Sequence, residues 1–532
     1  MSVITRRIVI FALLSCFFVQ SFNSLSSKSA TFDEVQYFGI GKHLLTKQKW
    51  DVMGAVLHPP LSYYISSIPL LFVDLDERFF KYEENTVKDL NFFGAIDYYR
   101  GQGILSSEKN NGDRLLISSR LMIVVLSLFL GYYIYRFSSE LYGEKSGILS
   151  LFLFTFCPNM LAFSGIAVPD MPLTVFSFIA VYYFWLSSNN GSKKNKLLAG
   201  LFLGLALLSK FTALLLLPIY LLIALVSWAK QKNNSLLLSL IIVFSIAAIV
   251  FMAGYSFDLT PFFQGNEYRM SQQKNGQATF LMGQYSDHGW WSYYSIAFLL
   301  KTPLPVILLL CLSIVLYFRN RTDRLSELTF LLLPIVTFLV VFSASSYCIA
   351  LRYILPIYPF IFVVIGSLAA YGGRYNYLIC LMSVWYVGAS LYISPHYLAY
   401  FNEAIGGPNN GYKYLVDGNL DWGQDLKGLK KYMVDNGVAK VSLSYFGADS
   451  PERYGIKYDW LPSYYLYNPE PGKAPEIKPN QLLAISATNL QGVYLDNKEQ
   501  YKWLKKYKPV AKIGYSIFIY DLSRQSAFKA AM

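Results

Sequence analysis

A mainly α-helical, polytopic membrane protein with about eleven spans, and a small C-terminal α/β domain outside the bilayer, is the fold this sequence predicts. Three observations carry the prediction. The 532 residues are 54% hydrophobic and 17% aromatic but only 15% charged. Apolar runs near the ~20 residues that cross a bilayer recur as far as residue 394. Basic residues gather in short loops between alternate runs, which is the pattern of cytoplasmic loops.

The elements follow in order. Arg6 and Arg7 precede the first apolar segment, 8–22, so the N-terminus is expected in the cytoplasm. Lys28 stands where cleavage after Ala30 would want a small residue, so the segment reads as a retained anchor and not a signal peptide. Spans are expected at about 7–25, 115–137, 147–166, 171–187, 197–209, 211–229, 236–255, 303–318, 326–344, 354–371 and 376–394. Cytoplasmic loops then carry Lys193, Lys194 and Lys196, Lys230 and Lys232, Arg319, Arg321 and Arg324, and Arg374. Residues 59–73 are apolar but short and contain Pro69, so they read as a helix lying in the outer interface. Residues 197–229 have basic flanks on both sides, which two short helices broken near Ser209 and Lys210 explain. A lysine at such depth marks a functional position, with snorkelling to an interface the plainer alternative.

This alternation makes 1–394 a transmembrane domain. Its outer-face loops lie at 26–114 and 256–302, with a shorter piece at 345–353. Residues 395–532 form the extracytoplasmic domain, with an amphipathic helix at 424–436 and strands at 441–446, 482–487 and 512–521. His43, His58, His288 and His396, which are all the histidines, fall on the outer side. The net charge of +13 reads as topology signal, and no nucleic-acid-binding motif accompanies it. The five cysteines have no metal-knuckle or disulfide spacing.

Chemistry is expected where polar groups are embedded in aromatic outer-face sequence. Asp33 and Glu34 follow the first span, at the membrane surface. A carboxylate there can take a proton from a substrate at the bilayer edge, and a solvated loop charge is the plainer reading. His58 precedes Pro59 and Pro60, which fix the start of the interfacial helix. Asp170 sits at an outer turn, where helix capping is the alternative. His288 lies in the aromatic stretch 280–294, which leads to Lys301. Arg120, Lys301 and Arg352 would each serve singly as headgroup anchors. Together they suit a lipid phosphate, to which they offer charge-assisted hydrogen bonds. Further on, Asp417, Asn419, Asp421 and Asp425 surround Trp422. A calcium loop, a helix cap at Asp421, and sugar or acceptor recognition on Trp422 all stay open for that cluster.

Several of these stretches, in this order, resemble the GT-C glycosyltransferases of family 39, the superfamily of protein O-mannosyltransferases and lipid A aminoarabinose transferases. The matching features are the acid pair, His58-Pro59-Pro60-Leu61, the turn Val168-Pro169-Asp170, the run 199–210 with Gly200 and Gly204, and the segments 395–403 and 406–426. The stretch Asp421-Trp422-Gly423-Gln424-Asp425-Leu426 is the most specific, and the whole looks like a bacterial branch. The resemblance implies transfer of a sugar from a polyprenyl-phosphate donor to a protein, lipid or glycan acceptor. It implies a bacterial inner membrane, a cytoplasmic N-terminus and a periplasmic C-terminal domain.

By similarity, Asp33 matches the catalytic acidic position, with Glu34 beside it. His58, Arg120, Asp170, Lys301 and Arg352 would bind donor phosphate or substrate, and Asp421, Trp422 and His288 would contact acceptor or sugar. Many relatives of the aminoarabinose type carry a lysine where His58 stands. No metal is carried over, since the family's use of one is not uniform, and a divalent cation stays open. A single displacement with Asp33 as base would invert the anomeric carbon. The competing function is a polyprenyl-lipid or glycan flippase or transporter, for which matched halves would be expected.

Overall fold

The computed structural model describes residues 2–47, 50, 52, 56–76, 90–231, 234–320, 325–464 and 481–522. Lys232, Arg321 and Arg324 of the basic loops lie outside the described residues. Among the described residues, six helices are long and apolar enough to cross a membrane, or eight if each of two bent pairs is one span. The chain is an integral membrane protein, mostly helical, with a small C-terminal sheet.

Burial grades these helices. Helix Asp170–Asn190 is central, with 83% of its apolar window buried, whereas Val3–Ser27 and Arg374–Ile393 bury 22% and leave their apolar sides to the surroundings. Prolines explain the bent pairs. Glu144–Thr155 turns by 63° into Pro158–Ser164, and Tyr293–Lys301 turns by 111° at Pro303 into the helix Leu304–Asn320, because proline lacks the N–H that would continue a helix. The break expected near Ser209 and Lys210 is present: Lys193–Leu207 stops, and a short 3-10 turn, Phe211–Leu215, leads into Leu216–Gln231. Gly200 and Gly204 let Lys193–Leu207 close onto Ser235–Gly254. A Cβ at either would lie 2.7 Å from the Cβ of Ile246 or Val250, a small-residue contact of the kind that joins helices in membranes. The segment expected to lie in the outer interface is helical, with Leu61–Ser67 followed by the 3-10 turn Ile68–Phe72.

The C-terminal sheet has five strands: β3 Val441–Ser444, β4 Tyr458–Trp460, β5 Leu482–Ser486, β6 Ala511–Ile513 and β7 Ile517–Asp521. A separate hairpin joins β1 Thr279–Leu281 to β2 Gln284–Ser286. The sheet order is β4-β3-β5-β7-β6, with β3 parallel to both β4 and β5, and β7 antiparallel to β5 and β6. Helix Leu426–Asp435 covers one face through Leu426, Leu429 and Met433. Leu483, Ile485, Phe518 and Tyr520 on the other face join the core of the membrane part. The single strand expected over 512–521 is instead a hairpin. Gly514 and Tyr515 adopt φ of 56° and 65° at the centre of a turn that Ser516 N–H closes by donating to Ile513 O at 3.1 Å.

Candidate active site

Two backbone contacts tie the first outer segment to the C-terminal part. Ser29 N–H donates to Gln424 O at 3.0 Å, and Phe32 N–H to Trp422 O at 2.8 Å. Helix Phe32–Tyr37 starts there, and at its first turn the two acids part company. Glu34 turns inward, reaching back to accept from Thr31 N–H at 2.9 Å and Ala167 N–H at 2.8 Å. Arg120 grips it from Nε at 2.8 Å and Nη2 at 2.6 Å. The remaining Arg120 protons go to the carbonyls of Leu25, Lys28 and Ser29. Burial opposes the Glu34 charge, yet the Arg120 charge and these hydrogen bonds hold its pKa below the ordinary value.

Asp33 turns the other way, into a cavity of about 370 Å³. Its Oδ2 accepts from Arg352 Nη1 at 2.9 Å. The Arg352 guanidinium lies 4.0 Å over the Trp422 ring, a cation–π contact, and its Nε is buried without a partner. Arg269, on helix Thr260–Asn275, lines the same cavity and is held by Leu57 O at 2.9 and 3.1 Å. Its Nη2 lies 3.0 Å from His58 Nε2. Burial, and then the charges of Arg269, Lys210 and Arg352, push His58 well below its ordinary pKa. His58 is therefore a neutral imidazole that accepts from Arg269. Asp417, Tyr37, Tyr353 and Tyr494 are among the other polar residues that line it.

Asp33, His58, Arg352 and Trp422 thus meet in one cavity, and the other expected site residues do not line it. Arg120 and Glu34 are spent on each other and on backbone, so Arg120 has no N–H left for a phosphate. Lys301 is buried and donates to Leu398 O at 2.9 Å, Tyr400 O at 3.0 Å and also Asn419 O, stapling the chain after the last span. Asp170 binds Lys210 Nζ at 2.6 Å. Lys210 in turn sits 4.1 Å from the Tyr353 ring, so this pair supports the cavity from behind; Lys210 is paired and not snorkelling. Asp421 is not the helix cap, which is Asp425. It accepts from Thr488 N–H at 2.8 Å, and burial raises its pKa to about 8. His288 is exposed just past the end of β2 and does not line the cavity.

The calcium reading fails on the same geometry. Asp417 binds Tyr494, Asp421 binds Thr488, and Asp425 binds Lys28 and Ser516. Among the described residues, no three His, Cys, Asp or Glu side chains converge to hold a metal. Sequence reasoning missed Arg269. The signal was an arginine beside Tyr268 in an outer-face stretch with no apolar stripe.

Residues 112–252 match the sequence profile of the dolichyl-phosphate-mannose-protein mannosyltransferase family. No curated protein matches the chain. Among solved structures, ArnT from Cupriavidus metallidurans bound to undecaprenyl phosphate superposes with a TM-score of 0.50 at 12% identity, over 96% of this chain and 97% of that one. The apo state of the same protein gives 0.49 at 11% identity, over 97% and 98%. The Archaeoglobus fulgidus oligosaccharyltransferase in its apo form gives 0.45 at 12% identity, over 72% and 54%. The chain has the fold of the GT-C glycosyltransferases and, over residues 112–252, the sequence pattern of the mannosyltransferase family among them.

Proposed function

We propose that this protein transfers a sugar from a polyprenyl-phosphate donor to an acceptor on the outer face of a bacterial inner membrane. The observation that carries the reading is the cavity itself, where the Asp33 carboxylate faces the same space as two arginines, Arg352 and Arg269. A relative in fold binds undecaprenyl phosphate, and a phosphate leaving group suits this pair of cations. The N-terminus is cytoplasmic and the C-terminal sheet periplasmic in this reading, as the basic loops require.

Asp33 accepts the acceptor's O–H proton as that oxygen forms its bond to C1 of the sugar. The bond from C1 to the phosphate oxygen breaks on the opposite face, which inverts C1 and releases polyprenyl phosphate. Negative charge grows on the departing phosphate, and Arg269 and Arg352 stabilise it. The unpartnered Nε of Arg352 is a donor in reserve for that moment. Neutral His58 accepts from Arg269 and orients it. Lys210 and Asp170 hold Tyr353 in place.

The test supplies purified protein with radiolabelled polyprenyl-phosphate sugars and an extract of candidate acceptors. Label leaving the donor and entering a protein, lipid or glycan is expected. Donor bound but never cleaved by folded protein would return the reading to a flippase.

A further inference from the structure

We propose that Asp417, held by Tyr494, is the specificity-determining residue of the cavity and reads a pair of hydroxyl groups on the ring of a neutral transferred sugar. The proposal rests on the reading above, that the cavity takes a polyprenyl-phosphate sugar.

Asp417 belongs to the C-terminal part of the chain, yet it lines the same cavity as Asp33 and Arg352. Its backbone adopts a φ of 54°, a left-handed conformation that glycine takes without strain. The position is fixed on every side. Asp417 N–H donates to Thr488 Oγ1 at 3.1 Å, Oδ1 accepts from Gly418 N–H at 2.6 Å, and Oδ2 accepts from the Tyr494 hydroxyl at 2.5 Å. A carboxylate has about four acceptor sites, so each oxygen keeps one free. Two fixed acceptor sites side by side match two neighbouring hydroxyl donors.

The wall around Asp417 has the complementary surface. The Tyr494 ring stacks on Phe446 at 5.6 Å and lies 4.8 Å from Tyr464, and Phe32 stacks on Phe446 at 5.4 Å. A sugar ring presents a C–H face to aromatic faces and hydroxyls at its edge, so an aromatic wall with a carboxylate at its margin meets both. Charge argues for a neutral ring over an amino sugar. Among the described residues no lysine or arginine forms an ion pair with Asp417, and burial raises its pKa to about 6. Arg269 and Arg352 in the same cavity would repel an ammonium group, whereas hydroxyls bind a carboxylate of either charge state.

The experiment uses full-length protein in lipid nanodiscs. It measures Kd by competition for bare polyprenyl phosphate, a polyprenyl-phosphate hexose, its monodeoxy analogues and a 4-amino-4-deoxy analogue. Wild type is expected to bind at least one monodeoxy analogue about tenfold more weakly than the parent, the loss typical of an unpaired buried acceptor. D417N should discriminate by no more than about twofold while binding bare polyprenyl phosphate as wild type does, since a single polar contact sets the difference. Y494F, which removes only the holder, should fall between the two, and it keeps the test alive if D417N misfolds. Full discrimination in D417N and Y494F overturns the proposal, as does an Asp417-dependent preference for the amino analogue. Wild type that fails to bind even bare polyprenyl phosphate overturns the underlying reading, and the proposal with it.

Discussion

One short helix supplies the carboxylates of two carboxylate–guanidinium pairs, and their contrast explains the site. Glu34 and Arg120 are each 1% exposed and bonded through every available group. Asp33 is 20% exposed and Arg352 8%, and Arg352 keeps an unpaired Nε. A buried pair with all partners satisfied holds structure, because removing either member strands a charge. A pair at the edge of a cavity, with a donor to spare, is free to exchange partners when a ligand arrives. Consecutive residues on a helix point about 100° apart, so adjacent acids serve opposite ends without conflict.

The sharpest way to break this comparison is to neutralise each acid in turn. D33N should lose about 10³-fold or more in transfer rate, the scale of a general base with its site intact, while its thermal unfolding in detergent stays close to wild type. E34Q should do the reverse. It should lose about 3–5 kcal/mol of stability by leaving Arg120 uncompensated, read as a large drop in unfolding temperature and in yield of inserted protein. R352K would sharpen the picture. Lysine keeps the charge but not the planar fork that reaches Asp33 and Trp422 together, so kcat should fall about 10- to 100-fold with little change in stability. R269A should lower kcat by roughly tenfold, through loss of one charged contact to the departing phosphate.

The smallest effect concerns pH and the C-terminal part. Burial lifts Asp421 from the usual 3.8 to about 8 in the folded chain. The folded state then holds this proton more tightly than the unfolded one, so the stability it contributes is complete below the unfolded value. That contribution declines as pH rises through about 8. D421N carries no charge to bury. It should melt a few degrees above wild type at pH near 9 and close to it at pH near 4, with melting curves at the two values as the check.

Much of this was readable in the sequence because apolar runs, basic loops and proline breaks are local signals. The break at Ser209 and Lys210 and the short helix Leu61–Ser67 follow from flanking charges and length. The bend at Pro158 was less visible, since the apolar run continues through it, whereas Pro303 coincides with the expected start of a span. Asp33, His58, Arg352 and Trp422 stood out as polar or stacking groups in aromatic outer-face sequence. Glu34 and Arg120 could not be assigned to structure, because their pairing spans 86 residues and depends on which side of a turn each faces. Arg269 stayed hidden because helix Thr260–Asn275 has no apolar stripe and reads as loop. The hairpin within 511–521 was masked by alternation on both sides of Gly514 and Tyr515.

The central claim is that Asp33 acts on the substrate while Glu34 acts on the fold, and one measurement addresses it directly. Sugar label moved per folded molecule is compared for wild type, D33N and E34Q, with the folded fraction taken from each protein's unfolding curve. The account predicts almost no transfer by folded D33N and near wild-type transfer by whatever fraction of E34Q is folded. Transfer by D33N at the wild-type rate would contradict it.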